Sequence, residues 1–124
     1  MRQVFEVPGR LPGLNEYTSA CRTNPYAGAK LKREATEACM WAAKAAGVRP
    51  MGTPVDVHVT WVEPNTRRDK DNIRFGVKFV LDALVKLGVI PDDGWGQVGS
   101  LSDGYMVNKS NPRVIVALES KEEE

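Results

Sequence analysis

Val55-Asp56-Val57-His58-Val59-Thr60-Trp61 and the later stretch from Asn72 to Leu87 decide the architecture of this 124-residue chain. In the first, Val55, Val57, Val59 and Trp61 alternate with Asp56, His58 and Thr60, the period of two that a half-buried strand produces. In the second, Ile73, Val77, Val80, Leu84 and Leu87 recur at three to four residues and Gly88 stands just beyond, which predicts an amphipathic helix with a glycine cap. Working outward, Gln3 to Val7 reads as a strand ended by Pro8. Pro8 to about Ala27, rich in Gly, Pro, Asn and Thr and without a period, reads as a long loop. Leu31, Ala35, Ala38, Ala42 and Ala46 predict a second helix over about Ala29 to Ala46, stopped at Gly47. Gly99 to Val107 and Arg113 to Leu118 read as strands joined by a turn at Asn108 to Pro112. No internal repeat is visible. The expected fold class is α+β, a two-layer structure with a mixed β-sheet packed against two main helices. Residues 1 to 120 are expected to form a single domain, and 121 to 124 a disordered acidic tail.

Composition narrows the class of protein. Apolar residues are 42% and charged residues 27%, which fits a globular domain and argues against a disordered chain. No run approaches the roughly 18 apolar residues of a membrane span. A charge interrupts the start, Met1-Arg2-Gln3-Val4-Phe5-Glu6, so no secretory signal is expected and the chain is placed in the cytoplasm. Cys21 and Cys39, with His58 as the one histidine, do not make a Cys/His zinc site and are expected to be reduced thiols. His58 falls on the polar side of its strand and no Ser/His/Asp set accompanies it.

Net charge is +1, but the charge is unevenly spread. Residues 1 to 50 carry eight Lys/Arg against four Asp/Glu, and residues 51 to 120 carry eight against nine. Five of those nine acids lie between Asp69 and Asp93, as a cation site set in a basic surface would require.

Asp69 and Asp71 are one residue apart, so in extended chain both carboxylates face the same way and can meet one oxygen-loving cation. Asp71 is also well placed to cap a helix beginning at Asn72. On a continuous helix Asp71, Lys78 and Asp82 fall within roughly 20° of one line opposite the apolar stripe, with Arg74 at its flank. Lys78 there either pairs with Asp82 or neutralises a scissile phosphate. Pro91-Asp92-Asp93-Gly94 is good turn chemistry, and one of its carboxylates could join the Asp69/Asp71 pair. Arg67 and Arg68 either hold phosphate oxygens with their forks or neutralise the adjacent aspartates.

These residues together, Arg67-Arg68-Asp69-Lys70-Asp71-Asn72, Lys78, Asp82-Ala83-Leu84 and Gly88-Val89-Ile90-Pro91-Asp92-Asp93, resemble the signature of the RusA family of Holliday junction resolvases. The resemblance is tight over about residues 67 to 98. It is looser before, through Pro12-Gly13-Leu14-Asn15 and the helix bearing Lys30, Lys32 and Arg33. The family comprises small homodimeric, magnesium-dependent endonucleases, often prophage-encoded, that nick two opposing strands of a four-way junction in recombination and repair. The resemblance implies a RusA-like fold with catalytic residues Asp69, Asp71, Lys78 and Asp93. Of these, Asp69, Asp71 and Asp93 would hold Mg2+, with Mn2+ as a substitute. It further implies DNA contacts by Arg67, Arg68, Asn72, Arg74, Asn15, Lys30, Lys32 and Arg33, with Arg10 and Arg22 nearby. The pattern departs at one place. Five residues, Ile73 to Val77, separate Asn72 from Lys78 where the best-known member has two, and three extra residues are nearly one helical turn. Branched DNA and a second copy are the expected partners, and no membrane. Two other readings fit the same residues: a module that binds branched DNA without cutting it, and a metal-dependent nucleotide phosphohydrolase.

Overall fold

A computed structural model describes residues 1–121, so the tail expected at 121 to 124 lies, apart from Lys121, outside the described residues. The elements run β1 (Arg2–Pro8), α1 (Leu14–Thr23), α2 (Pro25–Ala45), β2 (Val55–Glu63), α3 (Lys70–Arg74), α4 (Val77–Lys86), β3 (Val98–Val107) and β4 (Arg113–Ser120). The fold is α+β, with a mixed four-stranded sheet ordered β1-β4-β2-β3. β4 runs antiparallel to both β1 and β2, whereas β2 and β3 are parallel. The parallel pair requires a crossover, and α3 and α4 provide it.

Register explains why one face is buried. Phe5, Val116 and Val59 lie side by side across three strands, as do Val7, Val114 and Trp61. All six are buried, together with Val55, Val57 and Leu118. The residues between them, such as Glu6, Asp56 and His58, are exposed. His58 hydrogen-bonds Ser102 through Nδ1 at 2.7 Å on that outer face. Ala35, Cys39 and Ala43 of α2 and Phe79, Val80, Ala83 and Leu84 of α4 close the core from the other side.

Two expectations are corrected. The stretch Pro8 to Ala27 is not a loop, because it holds α1 and the first residues of α2. Asn24 caps α2, its Oδ1 accepting from Tyr26 and Ala27 at 2.9 and 2.8 Å, and Pro25 begins the helix. α1 buries no residue of its own, so its pattern is weak. Tyr17 anchors it, stacking near Phe75 and Phe79 at ring-centroid distances of 5.5 and 6.4 Å.

The predicted helix from Asn72 to Leu87 is two helices, parted at Phe75 and Gly76. Gly76 lies against Trp61 and Leu11, and a Cβ there would stand 3.1 Å from the indole. The chain therefore passes so close to the sheet that a side chain here would require Trp61 or Leu11 to give by a few tenths of an ångström. Gly47 and Gly88 do end α2 and α4, at φ 70° and 73°, where L side chains are strained.

Candidate functional site

A cleft of about 530 Å3 opens where β2 ends and α3 begins. Glu63, Arg68, Asp69, Lys70, Asp71 and Ile73 are on one wall, and Tyr105, Met106 and Val107 of β3 form the other. Parallel pairing sets these walls opposite each other, since Glu63 is in register with Val107. The site therefore sits beyond the carboxyl ends of two parallel strands, the usual place for a ligand in sheets with crossover helices.

A buried ion cluster fixes the floor. Arg68 donates from Nε and Nη2 to the two carboxylate oxygens of Glu63 at 3.0 and 2.8 Å. Its Nη1 reaches Glu16 Oε1 at 2.8 Å and the Leu11 carbonyl at 3.1 Å. Arg10 adds a second cation to Glu63 at 2.9 Å. Burial alone would push the Glu63 carboxyl up, but the hydrogen bonds and charges of Arg68 and Arg10 outweigh it and hold it below its ordinary value. Glu16 is lowered in the same way, burial being overcome by the Gly13 amide and Arg68.

That cluster answers the choice posed for Arg68. Its partners are Glu63 and Glu16, not the adjacent aspartates, and four of its donor contacts are made inside the protein. Arg67, by contrast, is exposed and its side chain has no ion pair among the described residues. Glu63 went unread in the sequence. Its signal was the loss of alternation at Trp61-Val62-Glu63, where three successive residues are buried.

Asp69 and Asp71 both line the cleft and are exposed. Asp69 precedes α3 in extended backbone, φ −69° and ψ 151°, but its side chain makes no capping bond. Asp71 lies in the first turn of α3 and is not its cap. Neither carboxylate has an ion pair among the described residues. Lys70, between them, places its ammonium 5.4 Å from the Tyr105 ring centroid. Burial, then Asp103 and Asp71, push the Tyr105 phenol up, with Arg74 opposing.

The remaining expected site residues scatter. Asn72 is buried, and its Oδ1 accepts from the Asn15 amide at 2.8 Å, which caps α1 from outside that helix. Arg74 bonds Asp103 at 2.9 Å, and Asp103 in turn accepts from Trp61 Nε1 at 2.9 Å. Lys30 pairs with Glu34, and Lys32 with Asp82 at 3.7 Å, which replaces the expected Lys78 to Asp82 pair. Arg33 and Lys78 are exposed. Asn15 and Arg22 border a separate hollow on α1.

No protein-family model matches the chain, and no curated protein matches it.

Asp93 and Lys78 do not line the cleft. The Asp92-Asp93 turn is held at the opposite end of the sheet. Val89 O accepts from Met51, just before β2, and Gln97 O accepts from Val55 at its start, both at 2.9 Å. Among the described residues no three carboxylate, histidine or cysteine groups gather at one point in the single chain. Two carboxylates with open space around them still suit Mg2+, which is commonly held by one or two carboxylates and otherwise keeps water and phosphate oxygens.

Proposed function

We propose that this chain is a magnesium-dependent endonuclease of branched DNA, of the RusA type, acting at the Asp69/Asp71 cleft. The observation that carries the reading is a pair of exposed carboxylates lining one cleft, without an ion pair among the described residues, with the exposed cations Arg67 and Lys70 next to them in the chain. Asp69 and Asp71 would hold the cation, and Lys70 stands between them. A bound Mg2+ would supply Lewis-acid polarisation of the phosphodiester and lower the pKa of water. Arg67 and Lys70 would hold phosphate oxygens beside the carboxylates. Arg68 acts at one remove, tying the 63–69 segment to Leu11 and Glu16 so that both aspartates keep their place.

In the test, purified protein with Mg2+ makes paired nicks in a synthetic four-way junction and leaves linear duplex intact. Asp71→Asn is expected to lose at least about a hundredfold in cleavage while still shifting the junction in a gel. Cleavage at the wild-type rate would remove Asp71 from the site. Cleft volume and the Tyr105 ring also suit a single nucleotide, so nucleotide hydrolysis is the second reading. Hydrolysis of free nucleotides without any nicking would select it.

A further inference from the structure

A phosphodiester needs only the Asp69/Asp71 part of the cleft, and the rest of the lining has a different chemistry. Tyr105 and Val107, two residues apart on β3, put their side chains on the same face of the sheet, and Ile73 of α3 lines the cleft with them. The Tyr105 ring is half-buried and packs against the core, while its hydroxyl donates to the Lys70 carbonyl at 3.4 Å, so the ring is held in place. The Lys70 ammonium lies over it, 5.4 Å from the centroid, on an exposed and flexible stem that can leave the ring for a phosphate. Asn65 and Thr66 line the same cleft. Asn65 Oδ1 accepts from the Arg67 amide at 3.0 Å, which fixes the side chain and leaves Nδ2 as a donor with no partner among the described residues. The exposed Thr66 hydroxyl has none there either.

We infer that this part of the cleft is a nucleobase subsite, which takes one unpaired base of the strand whose phosphate lies at Asp69 and Asp71 and stacks it on Tyr105. A fixed aromatic ring supplies the stacking surface, Val107 and Ile73 supply apolar contact, and Asn65 Nδ2 and the Thr66 hydroxyl are free to bond the heteroatoms of a base edge. The volume, about 530 Å3, lies among the roughly 300–1,000 Å3 of small-ligand sites and admits a nucleotide but not a duplex. A paired base cannot reach the ring, because its neighbours cover both faces and its partner covers the edge. It must leave the stack, and that costs least where it is already unpaired or poorly stacked. Stacking is interrupted where strands cross, so the subsite supplies a reason for choosing branched over linear DNA. Two carboxylates and a cation supply none, since every phosphodiester offers them the same group. That the base belongs to the strand being cut rests on the nuclease reading above, whereas the stacking on Tyr105 does not.

Binding is measured with Ca2+ in place of Mg2+, a weaker Lewis acid that keeps nicking out of the readout, on a fully paired duplex and on the same duplex with one bulged nucleotide. The bulged duplex is expected to bind at least about fivefold more tightly. Tyr105→Leu, which keeps an apolar side chain on the strand, is expected to erase that difference, and Tyr105→Phe to retain it. A 5-iodouracil base at the bulge is expected to photo-crosslink to the peptide that contains Tyr105, read by mass spectrometry, and this result on the unaltered chain decides alone if Tyr105→Leu does not fold. Equal binding of the two duplexes, a preference that survives in Tyr105→Leu, or a crosslink elsewhere would overturn the subsite. A crosslink abolished by free nucleoside monophosphate at a concentration equal to that of the DNA would assign the pocket to free nucleotides and overturn its role on a strand. Nicking in Mg2+ is scored separately. A Tyr105 crosslink in a chain that never nicks retires the nuclease reading and leaves the subsite in place, and nicking without that crosslink does the reverse.

Discussion

Arg68→Ala is expected to act on the fold before it acts on any ligand. The side chains of Arg68 and Glu63 are 13% and 7% exposed, and removing Arg68 strands a carboxylate that was taken out of water for it. Breaking a buried pair in this way costs about 3–5 kcal/mol. Here Arg10 stays on Glu63 at 2.9 Å, which places the loss at the lower end, about 3 kcal/mol. The bond to Glu16, whose side chain is 44% exposed, adds little. For a domain of this length the melting temperature would fall by about 10 °C. Urea and thermal unfolding near neutral pH measure it. The pH dependence supplies an independent check. Glu63 and Glu16 are held below their ordinary value of 4.5 in the folded chain, so their stabilisation is complete above that value. It is lost as pH falls through the depressed folded values, and the gap between wild type and variant narrows in the same window. A fall of less than about 3 °C, or a gap that persists in acid, would refute the assignment of Arg68 as an internal strut.

Arg67→Ala is the contrasting case: stability should hold within about 0.5 kcal/mol, while junction affinity drops and the salt slope of binding falls by about 1. Gly13→Ala should cost about 2 kcal/mol in urea unfolding, since its Cβ would stand 2.6 Å from Asn72 Oδ1 and 2.9 Å from the Asn72 carbonyl. A neutral result would mean the α1 to α3 contact yields easily. Thiol reagent on the native protein should modify Cys21 and spare Cys39, whose thiol is fully buried and pushed up to about 12 by that burial. Two thiols reacting at equal rates would show that the α2 face of the core opens.

The strands were legible because each has one buried face, and alternation at Val55 to Trp61 reports that directly. The helix break at Gly76 was not, because its cause is the distance to Trp61, a contact between segments fifteen residues apart. α1 was hidden for the opposite reason: it buries no residue and is held by Glu16 on the Gly13 amide and Asn72 on the Asn15 amide, bonds that leave no periodic trace. At the site, Asp69 and Asp71 could be read as neighbours on one cleft because they are one residue apart, although Asp71 lies in the first turn of α3 and not in the extended chain that the spacing suggested. The roles of the cations could not. Eleven basic residues lie along the chain from Arg10 to Arg74, and only folding distributes the acids among them. Glu63 takes Arg68 and Arg10, Asp103 takes Arg74, and Asp82 takes Lys32. Arg67 and Lys70 remain beside the two aspartates. The same logic governs Asp93. A crossover from β2 to β3 must return through α3 and α4 to the starting end of the sheet, so a residue just before β3 is carried away from one just after β2. A D-x-D pair at the close of one parallel strand and an acidic turn at the opening of the next therefore lie at opposite ends of the sheet within one chain.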